Sequence, residues 1–162
     1  MIGNVSQRIG SRRGRARAGR VLVGLAGVVT TGGALAADFL VPATARQHQR
    51  NPRWPAHAKF HNAQYIVMCG LLGGTGLKLL TSDKGDPDRN LRVAAALLST
   101  PWLGMYGATL FPGTAVVDEE FAALPNRKVL GIDGNLFAGT ACLALLAAGV
   151  RLAKQPRSGS GG

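Results

Sequence analysis

Four stretches of this chain, 21–41, 65–81, 91–117 and 129–152, are almost free of charged side chains. A helix rises 1.5 Å per residue, so about 20 apolar residues carry it across roughly 30 Å of hydrocarbon. Each stretch can supply such a helix. A water-soluble bundle of four helices would back an apolar stripe with charged faces, whereas these stretches carry almost no charge on any face. The sequence therefore predicts an all-α, four-transmembrane-helix bundle, a multi-pass protein of the cell membrane whose first partner is the lipid bilayer. A basic arm (1–20) precedes the membrane domain (21–152), and a flexible Gly/Ser tail (153–162) follows it.

The charges lie in the connectors and termini, and the net charge is +11. A basic N-terminal arm with Arg8, Arg12, Arg13, Arg15, Arg17 and Arg20 could suggest nucleic acid. Its position just ahead of an apolar span has a simpler cause, the retention of Lys and Arg on the cytoplasmic side. With both termini inside, the arm, the 82–90 connector with its flanks and the tail hold thirteen Lys and Arg. The two outer connectors hold six, namely Arg46, Arg50, Arg53, Lys59, Arg127 and Lys128. Both termini are therefore expected in the cytoplasm, and no nucleic-acid partner is expected.

An arginine-rich arm, an apolar run and Ala34-Leu35-Ala36 also describe a signal peptide cut after Ala36. The run continues through Phe39, Leu40 and Val41, and Gly14-Arg15 follows Arg12-Arg13 where a twin-arginine signal would have apolar residues. Retention of the first span is the expectation. Cys69 and Cys142 fall inside spans, where thiols act as small apolar packers. Gly74-Thr75-Gly76-Leu77-Lys78 lacks the Gly-Lys-Ser/Thr ending of a phosphate loop and lies in an apolar helix.

Between the first two spans lies a dense polar and aromatic segment. Pro55 can open a helix, after which His57, His61, Gln64 and Met68 share one face. Span two continues through Gly70, Gly73, Gly74 and Gly76, small enough to let a neighbouring helix approach closely. Asp88 or Asn90 is expected to cap span three, which carries Pro101 and places Trp102, Tyr106 and Thr109 on one face. Under this topology Asp38, His57, His61, Gln64, Asp118, Glu119, Glu120, Asp133 and Asn135 all map to the outer third of the bundle. His48 falls in the connector and is expected to be solvated.

Three chemistries fit that layer. His57 and His61 at i, i+4 could hold a metal with a carboxylate as third ligand, although the spacing names no metal or other cofactor. A histidine beside a carboxylate could move protons on a lipid-like substrate. Alternatively the polar groups bond to one another and lock helices together. No Ser or Cys sits in an activating turn.

The element Asn51-Pro52-Arg53-Trp54-Pro55-Ala56-His57-Ala58-Lys59-Phe60-His61 resembles the Asn-Pro-x-Trp-Pro-x-His-Ala-Arg/Lys-Phe-His motif of an uncharacterised family of small four-helix membrane proteins. Asp38, Phe111-Pro112-Gly113 and Asp118 look similar to that group too. The resemblance implies the four-helix fold and carries no settled activity, so it leaves the chemistry open. A distant analogy to membrane sterol isomerases of the emopamil-binding type rests on residue types and location, without their motifs.

The expectation is an outer-face pocket that binds or isomerises a lipid-like small molecule. His57 or His61 would act as base, with Asp38, Glu119 and Asp133 as candidate partners. The rival is a structural or accessory subunit that packs on a membrane protein through the glycine-rich face of span two.

Overall fold

The computed structural model describes residues 2–124 and 128–154, with side chains from residue 12 onward. The tail from 155 with Arg157, the connector residue Arg127 and the side chain of Arg8 lie outside the described residues. Helix α1 (Ile2–Leu35) runs on through a π turn (Ala36–Leu40) and is followed by the short α2 (Pro42–Ala45), α3 (Ala56–Thr81) and α4 (Pro87–Ala108). A 3-10 turn (Glu119–Phe121) and a minimal hairpin, β1 (Lys128–Val129) with β2 (Ile132–Asp133), lead into α5 (Gly134–Ala153). Helix α1 is helical from Ile2 and so runs through the basic arm into the first apolar stretch.

Among the described residues three segments are long and apolar enough, by length and composition, to cross a membrane: Arg12–Leu40, Ala56–Thr81 and Gly134–Ala153. Helix α4 has 22 residues, a sufficient length, but Arg92, Ser99, Thr100 and Tyr106 dilute its apolar content. The chain is thus an all-helical membrane protein apart from its hairpin.

The helix ends follow local chemistry more closely than hydropathy does. Helix α4 stops at Ala108, well short of residue 117, and Pro112, which has no N–H, lies just beyond it. Its N-cap is Asp86, not the expected Asp88 or Asn90. The Asp86 side chain accepts from the Asp88 backbone N–H at 2.9 Å, while Asn90 donates to the Lys84 carbonyl at 2.8 Å. Pro87 fills the first helical position, where no N–H is needed. Helix α5 starts at Gly134 rather than 129 because Leu130 and Gly131, with φ of 52° and 81°, turn the chain back.

Helices α1, α3, α4 and α5 form a ring in which each packs on the next and α5 closes on α1. Gly19, Leu80, Leu91 and Ala153 mark one end of this bundle, the basic end. The Arg20 guanidinium donates to the Leu80 carbonyl there, and Gly19 lies against Gly149 and Ala153. At the opposite end, the motif end, α1 meets α3 through Asp38 and Asn62 and α4 meets α5 through Tyr106 and Leu136.

The interior mixes small residues with a few leucines: Ala26, Ala94, Ala95 and Ala153 lie with Val23, Leu80, Leu91, Leu98 and Leu146. The large apolar side chains Leu25, Val28, Val67, Leu71 and Leu103 point outward. That is the reverse of a soluble bundle and suits a solvent of hydrocarbon. Close approach is what the small residues permit. A Cβ at Gly149 would lie 2.7 Å from the Gly19 carbonyl oxygen, and one at Gly73 would lie 2.7 Å from the Thr31 Cα. Polar ties cross the interior as well. The Trp102 indole N–H donates to the Thr30 hydroxyl at 2.9 Å, and the Tyr106 hydroxyl donates to the Leu136 carbonyl at 2.9 Å.

The glycine contacts generate a prediction. Gly149→Val forces α1 and α5 apart and costs about 1–3 kcal/mol, whereas Gly74→Ala, with nothing within 4 Å of the added carbon, leaves the melting temperature in detergent unchanged. Equal melting of the two variants would show that the α1–α5 contact does not hold the bundle.

Candidate functional site

The polar groups of the motif end begin with Asp38. It lies in the π turn, whose Val41 N–H reaches back five residues to the Ala36 carbonyl at 2.9 Å. The widened turn directs Asp38 inward, and the residue is only 5% exposed. Pro42 then ends the helix and starts α2, a single turn that folds residues 46–50 back over the carboxylate.

A buried carboxylate must be paired and hydrogen-bonded. The His48 Nδ1 lies 3.0 Å from Asp38 Oδ1, and the Asn62 amide of α3 donates to Oδ2 at 2.7 Å. His48 is therefore not solvated as the sequence suggested. Its Nδ1 also lies 3.1 Å from the Thr44 carbonyl, its ring meets Trp54 edge-on at 5.6 Å, and Nε2 has no hydrogen-bond partner among the described residues. The hydrogen bond to Asp38 raises the pKa of His48 above its ordinary 6.5; burial opposes this, and the charge of Asp38, the Thr44 carbonyl and the charge of Asp118 reinforce it.

A second cluster clasps the first connector to the loop after α4. Asn51 is 1% exposed. Its side-chain oxygen accepts from the Arg53 backbone N–H at 2.8 Å and its amide donates to Glu120 Oε1 at 3.0 Å. Arg53 reaches the other Glu120 oxygen at 2.5 Å, and the Trp54 indole donates to Asp118 Oδ2 at 3.1 Å. Arg53 is largely exposed, so its ion pair contributes little. The buried amide of Asn51 contributes more, because losing its partner would leave a polar group without water.

His57 and His61 lie apart from these clusters. Both are exposed on the outward face of α3, with their Nε2 atoms 3.1 Å from each other and His61 Nδ1 3.2 Å from Gln64 Oε1. Among the described residues neither histidine pairs with a carboxylate, and no three His, Cys, Asp or Glu side chains converge as metal ligands. Glu119 is exposed in the 3-10 turn. Asp133 caps α5, accepting from the Asn135 N–H at 2.9 Å. A shallow cleft of about 160 Å³ lies between the motif-end loops of α4 and α5, lined by Met105, Thr109, Thr114, Val116 and Asn135 among others, and no candidate histidine borders it.

The structure thus joins Asp38, Asp118 and Glu120 to His48, Asn62, Trp54 and Asn51. Of the new partners only Asn51-Pro52 carried a local signal, an Asn suited to a side-chain turn. No protein-family model, no curated protein and no solved structure matches the chain.

Two predictions follow from these contacts. Because folding raises the His48 pKa, its ion pair contributes fully below the ordinary value and is lost as pH rises through the raised one. The melting temperature should therefore fall as pH rises from the ordinary histidine value of 6.5 through the raised one, and His48→Gln should remove most of that fall. A separate scan of Asn51→Ala in detergent should show a loss of about 1–3 kcal/mol, whereas Glu119→Ala should melt like the parent.

Proposed function

We propose that this is a four-span protein of the cell membrane, with both termini cytoplasmic, that serves as a non-catalytic structural or accessory subunit. The fourth span is α4. It supports this reading by running the full height of the bundle, with Leu91 beside Ala153 at the basic end and Tyr106 bonded to Leu136 at the other. The basic end also carries Arg12, Arg13, Arg15, Arg17, Arg89, Arg92 and Arg151, in keeping with a cytoplasmic position.

The observation that carries the accessory role is that the polar groups of the motif end are engaged within the chain. Asp38 is held by His48 and Asn62, Asp118 by Trp54 and Glu120 by Asn51 and Arg53. They form a clasp between connectors and leave His57 and His61 without the carboxylate a general base would need. The histidines and Gln64 instead form a polar row on the outside of α3. Lys59 and Lys78 of α3 lie about 28 Å apart along the helix axis, close to one hydrocarbon thickness. That places Gln64 inside the apolar layer, where an outward amide is best satisfied by another helix. Gly70 and Gly74 offer open space on the same helix, while Gly73 and Gly76 are taken by Thr31 and Leu98.

One observation favours a second reading. The Asp38–His48 pair, with Nε2 free of hydrogen bonds among the described residues, has the form of a base oriented by a carboxylate, so an acid/base role on a lipid-like molecule would fall to His48 rather than to His57 or His61.

Two measurements test the proposal. Single cysteines at positions 83 and 114, in a variant lacking Cys69 and Cys142, should be labelled by an impermeant maleimide from opposite sides of the membrane; labelling from the same side means that α4 does not cross. On native gels of mildly solubilised membranes, a His57→Ala, His61→Ala, Gln64→Ala variant should lose a larger assembly that the parent forms, while its melting temperature stays within about 2 °C. An unchanged assembly would refute the accessory role.

A further inference from the structure

The basic end contains a cleft of its own, separate from the one between the motif-end loops. It opens between the first turns of α4 and the last turn of α5, has a volume of about 120 Å³, and is lined by Asp88, Leu91, Arg92, Val150, Ala153 and Lys154. Its floor is apolar, since Leu91 and Ala153 are buried, and its rim carries the exposed Arg92 and Lys154. Neither cation has an ion-pair partner among the described residues, where the ion pairs are Asp38 with His48 and Arg53 with Glu120. Asp88 stands in the first turn of α4, where a carboxylate is favoured by the helix dipole.

Two unpaired cations above an apolar floor, at the depth where a helix leaves hydrocarbon, match a phosphate joined to acyl chains. A free phosphate would gain nothing from the floor. We propose that this cleft binds one anionic phospholipid of the cytoplasmic leaflet, its phosphate held between Arg92 and Lys154 and the start of an acyl chain lying over Leu91, Val150 and Ala153. Asp88 adds an acceptor that suits a hydroxyl-bearing head group, as in phosphatidylglycerol. The inference rests on the four-span reading, because α4 must begin at the inner leaflet.

The test is native mass spectrometry of the full chain released from nanodiscs of equimolar phosphatidylglycerol and phosphatidylcholine. The parent should retain one phosphatidylglycerol in preference to phosphatidylcholine by about tenfold. R92Q/K154Q should lose the preference, the charge-preserving R92K/K154R should keep it, and R12Q/R13Q/R15Q/R17Q should keep it as well. A preference that survives R92Q/K154Q, or that disappears with the arm substitutions instead, would overturn the site. Competition by millimolar inorganic phosphate alone would also overturn it, since the acyl contact would then contribute nothing. Maleimide labelling of a cysteine at position 83 in the same nanodisc samples separates the two failures. Labelling on the side opposite position 114 without lipid preference removes this inference only, whereas labelling on the same side removes the four-span reading beneath it.

Discussion

The motif end is organised around one buried carboxylate. An ionised group withdrawn from water costs several kcal/mol unless its charge is matched and its oxygens are hydrogen-bonded. Asp38 sits at the end of the longest apolar helix, and both of its oxygens are engaged. Meeting that demand fixes much else. The π turn rotates the carboxylate inward while its neighbour Phe39 remains partly exposed. Residues 46–50 must fold back to deliver His48, and the first turns of α3 must present Asn62 to α1. A single charge therefore sets the path of the first connector and the rotation of α3 about its axis.

This explains which parts of the structure could be read from the residues alone. The apolar stretches foretell the long helices, because their length and lack of charge act locally. The ends of α4 and α5 escape hydropathy, since Pro112 and the Leu130-Gly131 turn act on backbone geometry and not on transfer to lipid. The polar layer of the motif end was legible as a layer: Asp38, Asp118 and Glu120 do lie at one end of the bundle. Its pairing was not. The i, i+4 spacing of His57 and His61 puts them on one face but leaves open which way that face turns. His48, in a connector without periodicity, gains its partner only after the π turn and α2 have formed.

The interior follows from the same solvent argument. Hydrocarbon does not drive apolar side chains inward, so helices gain by packing closely and by satisfying polar groups across their contacts. Gly19 against Gly149 and Gly73 against Thr31 supply the first. The Trp102–Thr30 bond and the Tyr106–Leu136 bond supply the second. Pro101 fits this scheme. It removes from α4 the N–H that would have reached the Leu97 carbonyl, and the Thr30 hydroxyl of α1 donates to the neighbouring Leu98 carbonyl at 3.4 Å, a tie to α1 beside the weakened rung rather than a replacement for it.

The two ends of the bundle solve the problem of charge in opposite ways. At the motif end, Asp38 and Glu120 are matched by His48 and Arg53 within the chain, and such pairs tolerate partial burial because little net field remains. At the basic end the cations outnumber the carboxylates, and among the described residues Arg92 and Lys154 stand unpaired beside apolar side chains. An unmatched cation at a hydrocarbon boundary draws its counter-charge from outside the chain, and in a bilayer the nearest anions are head groups. On the four-span reading the carboxylate clasp of the motif end is therefore complete as folded, while the basic end is completed by the membrane that surrounds it.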